Sequence, residues 1–210
     1  AADKAQRKAQ AVLSDLGKQR GTTAMACMIG AEIYRSHNQP QQAEKLLQRA
    51  ALVDPDNTAC RARLIHFYQQ HNQPLAAQAF FEKLTRLQPK VAVNYFHLGN
   101  VHAALGQPDK AEAVYQKIIE VAPDQAEGYL ALVHLYLSVG QKLPEARQMA
   151  VKAVERKPVA HHYFLLATVC HRLGDRVAGL KAINRAVELD ARQPKYRQLQ
   201  ALLQPRESKP

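Results

Sequence analysis

Apolar residues return along this chain at separations of three and four, in short bursts, and the bursts themselves return every 34 residues. Tyr95, Tyr129 and Tyr163 keep that spacing, as do Leu98, Leu132 and Leu166, Gly106, Gly140 and Gly174, and Pro55, Pro89 and Pro123. In the stretch from 92 to 125 the pattern is plainest: Tyr95, Leu98, Gly99 and His102 precede Gly106, and Ala111, Tyr115 and Ile118 follow it before Pro123. Apolar positions three and four apart on both sides of a glycine predict two amphipathic helices joined by a turn. A fixed period of this length means one helix pair copied along the chain, each copy too small to bury its apolar face without a neighbour.

In register, the copies run 24–57, 58–91, 92–125, 126–159 and 160–191. The turn in each falls on Asn38, Asn72, Gly106, Gly140 or Gly174, the residue types that best tolerate the left-handed conformation ending a helix. Pro40, Pro74 and Pro108 follow two residues later and suit a first helical turn, where no amide donor is missed. Ala43, Ala77, Ala111, Ala146 and Gly179 in the second helices, and Ala31, Gly99 and Ala167 in the first, are small where helices must approach. Leu47, Phe81 and Tyr115 fill the space beside them. Pro55, Pro89, Pro123 and Pro158 stop the second helices.

This combination of period and residue class resembles the tetratricopeptide repeat, over residues 24–191. The resemblance implies an all-α fold, a right-handed solenoid of antiparallel helix pairs. Ile65 and Val133 stand where that family usually has a small residue, which predicts wider separation of the paired helices in the second and fourth copies. The fourth copy carries an extra residue in its turn, within Gln141-Lys142-Leu143-Pro144, and the following loop is one residue shorter, predicting a local bulge. Residues 1–23, with Ala5, Ala9, Val12, Leu13 and Leu16, are expected to form an N-terminal flanking helix. Residues 192–204, with Tyr196, Leu199, Leu202 and Leu203 on one face, are expected to form a C-terminal capping helix before a tail at 205–210.

No apolar stretch approaches the roughly 20 residues of a membrane span, so a soluble chain is expected. The absence of an initial Met and of a signal-peptide layout suggests a processed chain or a fragment, and no localisation is assigned. The net charge of +11 is concentrated at the ends, residues 1–23 and 192–210 supplying seven of those charges, while the copies in order carry −1, +4, −2, +2 and +1. That is patchier than the continuous basic stripe of a nucleic-acid binder, which disfavours RNA or DNA binding through Arg61, Arg63, Lys83, Arg86 and Lys90. Cys27, Cys60 and Cys170 lack C-x-x-C spacing and read as buried structural thiols.

Signatures of catalysis are missing: there is no G-x-S-x-G, H-E-x-x-H, G-x-x-x-x-G-K-[ST] or G-x-G-x-x-G, and the carboxylates Asp54 and Asp56 lie in a helix-ending loop. A non-catalytic chain is expected, with no cofactor. No His-x-x-x-His pair or acid cluster supports a metal site. The family resemblance implies instead a concave groove lined by set places on each first helix. By that correspondence the wall holds Met28, Glu32, Arg35, Arg63, His66, Phe96, His97, Asn100, Leu130, His134, His161, Phe164, Thr168 and His171. The carboxylate clamp of the family's chaperone-tail adaptors is not reproduced. Its places hold Ala62, His66, His97, Glu127 and Ala131, or, one copy on, Phe96, Asn100, Ala131, His161 and Leu165; only Asn100 matches. The expected function is therefore a protein–protein interaction module or scaffold binding a protein or peptide, acidic ones included, along that wall. The alternatives are a self-assembling homo-oligomer and an accessory domain of a larger enzyme or secretion or assembly complex.

Overall fold

The structure, a computed structural model, describes residues 20–55 and 57–204 together with Lys4, residues 7–9 and Ala11. The expected N-terminal helix falls mostly outside these residues, as do Asp56 and the tail at 205–210. Eleven α-helices run between residues 20 and 204, and no strand occurs among the described residues.

The first compact unit, Ala1–Leu105, contains α1 (Arg20–Ser36), α2 (Pro40–Val53), α3 (Thr58–Gln70), α4 (Pro74–Leu87) and α5 (Ala92–Ala104). The second, Gly106–Pro210, contains α6 (Pro108–Val121), α7 (Glu127–Val139), α8 (Leu143–Arg156), α9 (Ala160–Arg172), α10 (Arg176–Leu189) and α11 (Pro194–Leu203). Within each unit every helix packs on the next in chain order, and α11 also reaches back to α9.

The punctuation of the sequence becomes backbone geometry. Asn38, Asn72, Gly106, Gly140 and Gly174 all have positive φ, between 50° and 77°. Only glycine takes this conformation without strain, and asparagine tolerates it better than most residues. Pro40, Pro74 and Pro108 open α2, α4 and α6. Two of the periodic tyrosines tie helix to preceding loop: Tyr95 donates to the Pro89 carbonyl and Tyr129 to the Pro123 carbonyl, both at 3.1 Å. A second tie recurs two periods apart, with Tyr68 donating to Glu44 at 3.1 Å and Tyr136 to Glu112 at 2.9 Å.

Small residues sit where helices meet. Ala43, Ala77, Ala111, Ala146, Ala31 and Ala167 are buried, with Leu47, Phe81 and Tyr115 buried beside them. A cleft of about 310 Å³ opens between Ile65, Tyr68, Ala77 and Val101. In the fourth copy the extra residue is absorbed at Lys142, whose φ is 52°, and its ammonium pairs with Glu112 at 2.6 Å. At the C-terminal end Tyr196 and Leu203 of α11 cover Ala167, Ala182, Ile183 and Ala186. All three cysteines are buried, and burial pushes each thiol's pKa up.

Candidate functional site

In the first unit the exposed edges of α1 and α3 enclose a cleft of about 280 Å³. Met28, Glu32, Arg35, Arg63 and His66 line it, over a floor that includes Leu47 and Phe67. The helical spacing brings Met28, Glu32 and Arg35 to one face of α1, and Arg63 and His66 to the facing side of α3. Gln70, absent from the sequence-derived set, completes this wall and accepts a hydrogen bond from Arg35 at 3.0 Å. Arg35 also pairs with Glu32 at 3.1 Å, so its guanidinium is held across the cleft. Met28 is half-buried and accepts a weak bond from the Cys60 thiol at 3.7 Å.

On α5 the expected wall residues divide. Phe96 is 36% exposed. His97 is half-buried, its ring 5.2 Å from that of Phe81. Asn100 opens onto the separate cleft beside Ile65 and Tyr68. Burial, reinforced by the charge of Arg61, pushes the His97 pKa down from 6.5 to about 4. An unfolded chain therefore takes up a proton below 6.5 that folded His97 refuses until about 4. Its neutral form supports the fold above 6.5, and stability falls as pH drops through that window, by about 1.4 kcal/mol per pH unit. Urea unfolding at several pH values is expected to show this slope, and His97→Phe to flatten it by that amount; equal slopes in both proteins would remove His97 as the cause.

Arg61 corrects one sequence reading. The sequence groups it with surface cations able to meet nucleic acid, yet it is fully buried. Its Nε donates to Asn94 at 2.6 Å, and its remaining nitrogens reach Gln88 at 3.2 Å and the Asn57 carbonyl at 3.3 Å. Asn94 donates to Gln88 at 3.1 Å, closing the network. A guanidinium so enclosed serves packing between α3 and α5 and is closed to a phosphate backbone.

In the second unit the wall gathers more tightly. The His134 ring of α7 lies 6.3 Å from that of His161 on α9, and His161 lies 6.3 Å from Phe164, in both cases nearly parallel. Phe164 packs 5.1 Å from Tyr196, and Lys195 holds its ammonium 5.2 Å from the Phe164 ring centre. The sequence marks Lys195 and Tyr196 only as parts of a capping helix; their position in the first turn of α11 gives no hint of this contact. Burial pushes the pKa of both His134 and His161 down, and Lys195, His134 and His162 add to the shift at His161. Leu130 is largely absorbed into a cluster with Ala126, Tyr129 and Ala153, and Thr168 spends its hydroxyl on the Phe164 carbonyl at 2.8 Å. His171 is not brought to the row: it lines another cleft with Gly174, Arg176 and Leu203. His162, next to His161, is buried, its Nδ1 2.7 Å from the Lys157 carbonyl, and serves the fold.

The described residues contain no cluster of three or more His, Cys, Asp or Glu side chains arranged to hold a metal ion, and no helix among them is long and apolar enough to cross a membrane. A second cleft in this unit, about 780 Å³, lies between α8, α9 and α10 and is lined by Arg147, Val151, Tyr163, Leu166 and Lys181 among others.

Tetratricopeptide repeat profiles match residues 34–98, 92–135 and 130–194, end to end over the helix pairs just described. The chain belongs to the tetratricopeptide repeat family. Solved tetratricopeptide repeat structures share its fold. A thermophilic member from Thermus thermophilus, TTC0263, superposes with a TM-score of 0.62 at 17% identity, over 86% of this chain and 98% of its own. YrrB, described as having an unusual peptide-binding site, gives 0.61 at 18% identity, over 92% and 99%. PilW, a widely conserved type IV pilus biogenesis factor, gives 0.64 at 21% identity, over 97% and 91%. No curated protein matches in sequence. The tetratricopeptide repeat is generally non-catalytic, and its fold supports a protein–protein interaction or scaffold role.

Proposed function

We propose that this chain binds a segment of a partner protein along the exposed faces of its first helices, α1, α3 and α5 in one unit and α7 and α9 in the other. The observation that carries the reading is the side-chain population of those faces. Packing positions repeat from copy to copy, whereas the open positions hold partly exposed aromatics and hydrogen-bonding groups: Phe96, His66 and Arg63 in the first unit, and Phe164, His134 and His161 in the second. Aromatic anchors flanked by polar groups are the usual energetic centres of a peptide interface. A structural neighbour described as a peptide-binding tetratricopeptide repeat protein is consistent with it.

Selection from a displayed library of random peptides tests the reading. The double variant Phe96→Ala/His66→Ala is expected to weaken peptides selected on the first unit by about tenfold or more while retaining the helical circular-dichroism signal. Unchanged affinity with an intact signal takes the first-helix wall of that unit out of the account.

A further inference from the structure

The second unit places an aromatic platform and three nitrogen groups in one row. His134, His161, Phe164 and Lys195 follow one another at 6.3, 6.3 and 5.2 Å, contributed by α7, α9 and α11. His134, His161 and Lys195 are all exposed, and Phe164 is half-buried on Tyr196. Among the described residues no carboxylate pairs with any of the three nitrogen groups. The described residues after 191 carry Arg192, Lys195 and Arg197 and no acidic side chain.

Resting on the peptide-binding reading above, we infer that this row docks an acidic segment of a partner protein, with an aromatic or apolar side chain of that segment on Phe164 and its carboxylates received by His134, His161 and Lys195. Charge complementarity selects the occupant. Lys195 is exposed and holds its ammonium 5.2 Å from the Phe164 ring centre, within reach of a carboxylate on a segment seated against that ring. A basic segment would meet three like-charged or protonatable groups, and a neutral one would leave Lys195 without a counter-charge.

A pH dependence follows from the neighbours of His161. Those bearing on it are Lys195 of α11, His134 of α7 and His162 of its own helix, none of them acidic; Tyr196 of α11 has Asp190 beside it. The free imidazoles are held below their ordinary range, whereas a bound carboxylate raises them, so docking takes up protons. Affinity is expected to rise as pH falls, over a window in which partner carboxylates stay ionised.

The test uses the full chain and a synthetic peptide of alternating Asp and Phe, against matched peptides with Asn or Lys in place of Asp, followed by fluorescence anisotropy. The Asp peptide is expected to bind at least about tenfold more tightly than the Asn peptide. Its affinity is expected to rise about tenfold from about pH 7.5 to about pH 5.5. Lys195→Glu, at an exposed side chain, is expected to abolish the preference for Asp and to favour the Lys peptide at unchanged melting temperature. His134→Gln/His161→Gln is expected to flatten the pH profile. Equal binding of the Asp and Asn peptides, with Phe164→Ala still weakening both, overturns the acidic occupant while leaving the wall reading intact. Indifference of every wall variant overturns the wall reading itself. Failure of a normally melting protein to bind the Asp peptide, or a self-association that Lys195→Glu abolishes, assigns the row elsewhere and overturns the inference.

Discussion

Replacing Arg61 with Ala is expected to destabilise the first unit by about 3 to 5 kcal/mol, whereas Arg63→Ala, two residues away, changes stability by no more than about 0.5 kcal/mol. The difference comes from surroundings alone. Arg61 is fully enclosed and binds Asn94, Gln88 and the Asn57 carbonyl, and Gln88 in turn donates to the Leu52 carbonyl at 3.3 Å. Removing the guanidinium leaves Asn94 Oδ1 without the 2.6 Å donor and opens a void among close-packed helices. Arg63 faces solvent at the rim of the α1–α3 cleft. Denaturant unfolding of the two variants measures the contrast, and equal losses would contradict the network's role. The same pair separates a structural from a nucleic-acid role: any salt-sensitive binding to an oligonucleotide must survive in the comparison through Arg63 rather than Arg61.

Phe81→Ala is expected to cost about 3 to 5 kcal/mol as well, through lost burial and a residual cavity. Phe81 is fully buried on α4, edge-on to Phe80 at 5.4 Å and 5.2 Å from the His97 ring. Its removal has a second readout. Burial is the main cause of the depressed His97 pKa, so opening the space beside the ring lets water reach it, and the pKa is expected to climb from about 4 toward 6.5. Titration of the His97 ring proton resonances in the variant follows this directly. A destabilised variant whose His97 still titrates near 4 would show that burial by residues other than Phe81 governs the imidazole.

The fold was legible because its signals are local and repeated. Gly140 and Asn72 announce their turns through the conformation each tolerates, Pro74 and Pro108 announce helix starts, and Ala77 and Ala111 announce close approach, all without reference to a partner. The bulge at Lys142 was legible as a count of residues, although the ion pair to Glu112 that accompanies it was not. The wall was legible only as a set of register places. Met28, Arg63 and His66 come together around one cleft, and His134, His161 and Phe164 form one row. His97, Asn100 and His171 share those register places yet turn to a buried aromatic or to other clefts. Gly128 carried no signal at all: a side chain there would come within 2.8 Å of Ile119, a close approach of α7 to the end of α6 that the 34-residue period does not encode.

By itself, then, the sequence determined the helix pairs, their turns and the residues that pack them, because period, turn chemistry and residue size act within a few residues of one another. Tertiary structure alone decided which charged groups face water and which are enclosed. Arg61 and Arg63 are chemically identical and nearly adjacent, but their helical positions differ by about 200° around α3, so one meets Asn94 and the other solvent. It also decided that Lys195, from the last helix, completes the row begun by His134, because proximity across α7, α9 and α11 depends on how the helices stack and leaves no mark in any one of them.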